Sequence, residues 1–274
     1  MISINACSTY KTKIDRHGNK KIYNVAYGNL KPQKMDVFIP KHFNDSSFVI
    51  LVHGGAWTIG SKSHLRGVQK FLLKNNIASA NIDYRLVDGK NITYKEQIED
   101  LNQATHFILD SLENKPQLIL LGESSGGHIS MLYGYNNPHI VDKIITFAGP
   151  ADLYSERYRK TKFYKSYTEP TFKKIVGEKN QPFDKAITKL KEASPITQVS
   201  NVPTLTFQGT WDMLVNKEQS LALDSVLTEK NIPHELVLIK NANHTPRFMP
   251  WWRNQVINPK ILEFIHKHPD EIGK

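Results

Sequence analysis

The stretch Leu118-Ile119-Leu120-Leu121-Gly122-Glu123-Ser124-Ser125-Gly126-Gly127-His128 decides the fold. Four apolar residues with no polar break fit a strand buried on both faces. The G-x-S-x-G that follows, with helix-compatible residues after it, sets Ser124 at a sharp strand-to-helix turn. Glycine is needed at 122 and 126 because side chains there would collide with neighbouring backbone. Such a turn exposes Oγ above the sheet and aims a helix N-terminus at it. Ser124 is therefore the candidate nucleophile; the bland reading of the same residues is a tight structural turn.

Outward from this stretch, short apolar β-branched runs recur at 48–52, 78–84, 144–148, 204–207 and 235–239, each ending at a turn signal. Helical patterns separate most of them, at 94–112, 216–230 and 259–268. The first places Ile98, Leu101, Ala104, Phe107, Ile108 and Leu112 on one stripe. Strand and helix in alternation predict a mostly parallel, doubly wound α/β sheet with helices on both faces. Residues 21–27 and 35–39 read as an antiparallel pair at its edge. The interval 151–192 breaks the rhythm: it is rich in Tyr, Lys and Phe and is punctuated by Pro170, Gly177 and Pro182. Two weak helical stretches, 170–176 and 184–192, fall inside it, and it reads as a small helical insertion, or lid, after a middle strand. The chain shows no internal repeat, and a single domain over 1–274 is expected.

The 274 residues carry 36 Lys plus Arg against 26 Asp plus Glu, and a single Cys. That excludes a disulfide scaffold, a collagen-like chain and a disordered charged tail. The net charge of +10 raises nucleic acid, a membrane surface or an anionic substrate as partners. No helix-turn-helix, zinc or aromatic RNA-binding signature supports nucleic acid, and no apolar run of membrane-spanning length occurs. His266 and His268, two apart on a helix, would not face one metal, so no metal site is expected. The polar N-terminus makes the cytoplasm the default compartment. Ala6-Cys7-Ser8-Thr9, which resembles the mature start of a lipoprotein, keeps export as the alternative. Residues 151–192 hold 11 Lys plus Arg against 6 Asp plus Glu, half the excess charge. This points to an ester with an anionic acid product, or to a well-solvated lid.

A nucleophilic serine needs a base, and the base an orienting acid. Asp212, in the loop after the run at 204–207, and His244, after the run at 235–239, follow Ser124 in the chain order expected of this arrangement. All three would emerge at strand C-terminal ends, where open α/β sheets hold their ligands. Upstream, His53-Gly54-Gly55-Ala56-Trp57 directly follows an apolar run. The amides of Gly54 and Gly55, with that of Ser125, are candidate donors to a developing oxyanion. His53 reads as a brace for that loop, His128 as structural, Glu123 as a structural hydrogen bonder, and Asp83-Tyr84-Arg85 as a buried polar brace. Location alone nominates Trp57 and Trp211 as substrate-pocket residues. Tyr154, Tyr158, Phe163, Tyr164, Phe248, Trp251 and Trp252 are equally placed to stack on substrate or to pack the insertion.

These residues resemble the α/β-hydrolase superfamily, and within it the serine esterases and lipases related to hormone-sensitive lipase and to bacterial acetyl or feruloyl esterases. The resemblance runs from Tyr27-Gly28 through residues 53–57, Asp83-Tyr84-Arg85-Leu86, residues 122–127, Ser194-Pro195 and residues 209–215 to His244. It implies a cofactor-free carboxylesterase for small or medium acyl esters, in which Ser124 attacks, His244 takes the proton and Asp212 holds the imidazolium. Three departures bear on substrate. H-G-G-A-W stands where H-G-G-G is usual and is similar to the loop of kynurenine formamidases, which keeps an arylformamidase open. Gln208 replaces a frequent His, a change expected to matter little. The insertion follows a middle strand instead of forming an N-terminal cap. An exopeptidase-like hydrolase and a non-catalytic hydrolase-fold binding protein stand as further alternatives.

Overall fold

Nine strands form one sheet: β1 (Lys11–Ile14), β2 (Lys20–Ala26), β3 (Lys34–Ile39), β4 (Ser47–Val52), β5 (Ala78–Ile82), β6 (Gln117–Glu123), β7 (Lys143–Phe147), β8 (Thr204–Gly209) and β9 (His234–Ile239). The computed structural model describes residues 10–43, 46–156, 162 and 164–273. Strand order is β1-β2-β3-β5-β4-β6-β7-β8-β9. The pairs from β1 to β5 are antiparallel, and every pair from β5 through β9 is parallel. The helices are α1 (Arg66–Lys74), α2 (Tyr94–Asp110), α3 (Ser125–Asn136), α4 (Glu169–Ile175), α5 (Phe183–Glu192), α6 (Pro195–Gln198), α7 (Glu218–Glu229), the single turn α8 (Pro250–Trp252) and α9 (Asn258–His266). No described helix is long and apolar enough to cross a membrane.

Alternation along each parallel strand builds two cores. Phe48, Ile50 and Val52 of β4 join Leu118 and Leu120 of β6 on the face covered by α2, α3 and α7. Val49, Leu51, Ile119 and Leu121 point to the other face, where Leu72 of α1 and Ile261, Phe264 and Ile265 of α9 close over them. Both faces being dry explains why these strands read as unbroken apolar runs. The expected strands and helices are present. Strand β1, helix α1 and the short helices α6 and α8 were not expected from the sequence. Strand β1 is fully exposed, so it has no apolar pattern to reveal it. Helix α1 turns Gln69 into the interior, where its Nε2 donates to the Asp36 carbonyl at 2.7 Å, and this interrupts its apolar stripe.

Register sets the strand ends level. Val52 stands opposite Ile82 and Gly122, Glu123 opposite Phe147, Phe147 opposite Phe207, and Gly209 opposite Ile239. The loops after β4, β6, β8 and β9 therefore leave the sheet along one edge.

The far edge of the core depends on a buried cation. Lys143, at the start of β7, donates from Nζ to the carbonyls of Phe264 and Ile265 at 2.9 Å and of Lys267 at 2.7 Å. These are groups that the C-terminal end of α9 would otherwise leave unsatisfied. Burial pulls the ammonium pKa down to about 8. Lys143→Met strips all three acceptors of their donor, and urea unfolding should show a loss of about 1–3 kcal/mol. An unchanged midpoint would mean that α9 is held by its apolar face alone.

Candidate active site

Ser124 occupies the turn between β6 and α3 with φ 53° and ψ −120°, a strained conformation for a residue with a side chain. Crowding on three sides explains it. A Cβ on Gly122 would stand 2.3 Å from the Gly126 carbonyl oxygen, and one on Gly126 would stand 2.1 Å from that of Val52. The Ser124 amide donates to the Phe147 carbonyl at 2.8 Å, and the Ser124 carbonyl accepts from the His128 amide at 3.0 Å. The turn is thus wedged between β4, β6 and β7, with the first turn of α3 behind it. Ser125, the first residue of that helix, is fully buried.

The loop after β4 closes on this turn. A Cβ on Gly54 would meet the Glu123 carbonyl oxygen at 2.8 Å and the Ser124 Cβ at 3.2 Å, so only glycine lets the two backbones lie this close. Ala56 and Trp57 both take left-handed conformations, and Thr58 and Ile59 donate back to the Gly55 carbonyl. His53 holds the loop from inside: its Nδ1 contacts the Gly54 carbonyl oxygen at 2.7 Å and its ring stacks on Tyr84 at 4.3 Å. Tyr84 donates its hydroxyl to the His53 carbonyl at 2.6 Å. Asp83 accepts from the Lys62 amide and ammonium, and Arg85 pairs with Asp100. The Asp83-Tyr84-Arg85 segment is thus the polar brace its composition suggested.

Trp57 donates from Nε1 to His128 Nδ1 at 3.1 Å. That bond fixes the tautomer: the proton is on Nε2, which donates to the Ala193 carbonyl at 2.7 Å. One neutral imidazole therefore joins the loop after β4, helix α3 and the end of the 151–192 segment.

Asp212 and His244 come together across the ends of β8 and β9. His244 Nδ1 donates to Asp212 Oδ2 at 2.7 Å, and the Asp212 side chain is fully buried. A carboxylate only accepts here, so in the neutral ring Nε2 is left as the acceptor. The amides of Leu214 and Val215 donate to Asp212 Oδ1 at 2.9 Å, and Gln208 Nε2 donates to Oδ2 at 3.1 Å. Gln208 is itself held by Ser220, which donates to its Oε1 at 2.9 Å. The substitution expected to carry little weight thus places a donor directly on the carboxylate. The two loops are laced together, with Trp211 donating to the Ala242 carbonyl and Asn241 to Thr210 Oγ1.

Glu123 receives Arg247 through Nε at 2.5 Å and Nη2 at 2.7 Å, both side chains being buried. This bidentate pair ties the loop carrying His244 to the residue preceding Ser124. Sequence reasoning foresaw a structural bond for Glu123 but did not identify its partner; a cation three residues beyond His244 was the available signal.

Gly54, Gly55, Ser124, Asp212 and His244 all border one cavity of about 730 Å³. Trp57 also lines it, packed edge-on against Phe172. Trp211 does not: it is 67% exposed and stands over a separate depression with Thr210, Met213 and Lys217. Tyr164 and Phe248 reach the cavity, whereas Tyr154 lies under Lys191 and Trp252 packs on the second core. Tyr158 and Phe163 fall outside the described residues. Ile59, Tyr167, Phe172, Met213 and Leu214 are lining residues that the sequence reading missed. For Met213 and Leu214, adjacency to Asp212 was the signal.

A mostly parallel sheet with helices on both faces, its functional side chains gathered at the C-terminal ends of the strands, is the architecture of the α/β-hydrolase superfamily. Residues 35–227 match the BD-FAE family model, and the chain belongs to that family. It is 24% identical over 247 residues to isoprenylcysteine alpha-carbonyl methylesterase ICME of Arabidopsis thaliana, covering 82% of this chain and 57% of the relative. The chain thus spans little more than half the length of that relative. Among solved structures, a truncated carbohydrate esterase from gut microbiota superimposes with a TM-score of 0.75 at 20% identity, covering 95% of this chain and 97% of the other. Esterase B of Lactobacillus rhamnosis, inhibited by a C6-C4 SN3 compound, gives 0.74 at 16% identity, with 92% and 88% covered.

Burial holds the imidazoles of His53 and His128 down to about 4, from an ordinary 6.5. Well above pH 6.5 both rings are neutral in the folded and unfolded chain. Between pH 6.5 and 4 the unfolded chain takes up protons that the folded one refuses, so stability falls as the pH drops. Full titration costs on the order of 3 kcal/mol per ring. Thermal melts of the unmodified chain should descend as the pH falls below 6.5. His128→Gln should melt lower at pH 7.5 but lose less on going to pH 5; an identical loss would remove His128 from this account.

Proposed function

We propose that the chain is a cofactor-free serine carboxylesterase acting on small or medium acyl esters through an acyl-enzyme. The observation that carries the reading is the 2.7 Å bond from His244 Nδ1 to a buried Asp212, on the border of the cavity that Ser124 also borders. It leaves His244 Nε2 as the base. Ser124 Oγ attacks the ester carbonyl carbon and passes its proton to Nε2. The Gly54, Gly55 and Ser125 amides bind the oxyanion, while Asp212 stabilises the imidazolium. Collapse expels the alcohol, which takes the proton from Nε2. Water, deprotonated by His244, attacks the acyl-serine, and the carboxylic acid leaves as Ser124 recovers its proton. The 151–192 segment serves as a lid within a single domain, a role supported by Tyr164, Thr168 and Phe172 at the cavity wall.

The plant relative is named for methyl-ester hydrolysis on an isoprenylcysteine, so a methyl ester with an apolar thioether belongs beside p-nitrophenyl acetate, butyrate and octanoate in the substrate panel. N-formylkynurenine tests the formamidase alternative suggested by the H-G-G-A-W loop. Ser124→Ala and His244→Ala should each lower kcat by about 10⁴-fold or more, and Asp212→Asn by a comparable factor, with the melting temperature retained. Full turnover by folded Ser124→Ala would overturn the scheme. Formate release without ester hydrolysis would replace it with the formamidase reading.

A further inference from the structure

Twelve large apolar side chains stand exposed among the described residues, and they are not scattered. Five of them, Ile59, Tyr167, Met213, Leu214 and Phe248, border the cavity that holds Ser124. Each of the five is more than half exposed, Met213 reaching 80%. Three more, Trp211, Met249 and Trp251, occupy neighbouring positions on the same loops. Single exposed apolar residues are ordinary, but a contiguous group is not. Five side chains of this size put on the order of 500 Å² of apolar surface around one opening, near the upper end of what a monomer leaves exposed. Enclosing a substrate does not require side chains turned this far outward.

Charge identifies what would cover them. Exposed cations share these loops: Lys162 and Lys165 flank Tyr164, Lys217 follows Met213 and Leu214, Lys240 precedes the His244 loop, and Arg253 follows Trp251. The described carboxylates on the same segments are otherwise engaged or withdrawn. Asp212 is buried against His244, Glu169 pairs with Lys173, and Glu218 is half-buried. Exposed apolar side chains at a cavity mouth, with exposed cations on the same segments, are complementary to an anionic lipid–water surface, where apolar side chains enter the headgroup boundary and Lys and Arg meet the phosphates. A second copy of this chain is a poor match, because a self-complementary contact would press one set of cations against another. Nucleic acid would use the cations but leave the apolar ring in water.

We propose that the cavity mouth docks on anionic lipid surfaces. The ring formed by Ile59, Tyr167, Met213, Leu214 and Phe248 enters the headgroup layer together with the exposed Trp251, close to Phe248 and Met249 in sequence, and Lys162, Lys165, Lys217, Lys240 and Arg253 bind the phosphates. Docked this way, the opening faces the lipid, and an ester carried by an amphiphile passes into the cavity without crossing water. That last step rests on the esterase reading; the docking itself does not.

The test is co-sedimentation of the full chain with phosphatidylcholine vesicles containing none or 30% phosphatidylglycerol, at 50 mM and 500 mM salt. Hydrolysis of p-nitrophenyl butyrate in water is followed alongside. The unmodified chain and Ser124→Ala should bind the anionic vesicles equally, and at least tenfold more tightly than neutral vesicles or than at 500 mM salt. Trp251→Ser, and Lys217→Glu combined with Arg253→Glu, should each weaken that binding tenfold or more while hydrolysis of the dissolved ester stays within twofold. The proposal is overturned if the folded chain remains in the supernatant with anionic vesicles. It is equally overturned if the variants bind as the unmodified chain does, or if sedimentation shows a dimer that Trp251→Ser dissociates. Vesicle binding without ester hydrolysis would sink the esterase reading and leave the docking intact.

Discussion

The turn at Ser124 holds its φ of 53° because the surrounding backbone leaves it no other conformation. Gly122 lies against Gly126, Gly126 against the end of β4, and the Ser124 amide is bonded to the last residue of β7. Three parallel strands must end level for those contacts to exist together, and they do because each is buried on both faces and locked in register by its two neighbours. The strain at one residue is thus balanced by packing spread over the whole sheet. Relaxing it would require Gly126 to move out of contact with Val52, which the α3 side of the core prevents.

The rest of the site depends on this turn through separate connections. Gly54 packs against Glu123 and Ser124, which brings the amides proposed as oxyanion donors to the serine. Glu123 and Arg247 join the His244 loop to the same turn from the other side. His128, one turn into α3, carries the connection through Trp57 and Ala193 to the 151–192 segment. Three segments far apart in sequence, the loop after β4, the His244 loop and the 151–192 segment, are therefore referred to one backbone position, as charge stabilisation in the proposed reaction would require.

Much of this was legible in the sequence because its chemistry is local. The parallel strands announce themselves as apolar runs, and the turn as glycines at fixed offsets from Ser124; Asp212 and His244 follow at strand ends. What was not legible depends on partners distant in the chain. Gln208 could not be seen as a donor to Asp212 until the loop had folded back over the strand end. Arg247 has no local reason to reach Glu123. Trp211 shares a loop with Asp212, yet its side chain turns outward, and sequence position cannot tell the two directions apart. The excess positive charge was visible, but the apolar ring beside it was not, because Ile59, Met213 and Phe248 look like core residues until their exposure is known.

Ser124, set at the strained turn and served by the His244–Asp212 pair, is the proposed nucleophile. Treatment with a fluorophosphonate, followed by intact mass and fragmentation that resolves Ser124 from Ser125, tests that role most directly. A single adduct on Ser124 is expected, formed in step with the loss of ester turnover and absent from the His244→Ala protein on the same time scale. An adduct on another serine, or full turnover after complete modification of Ser124, would contradict that role.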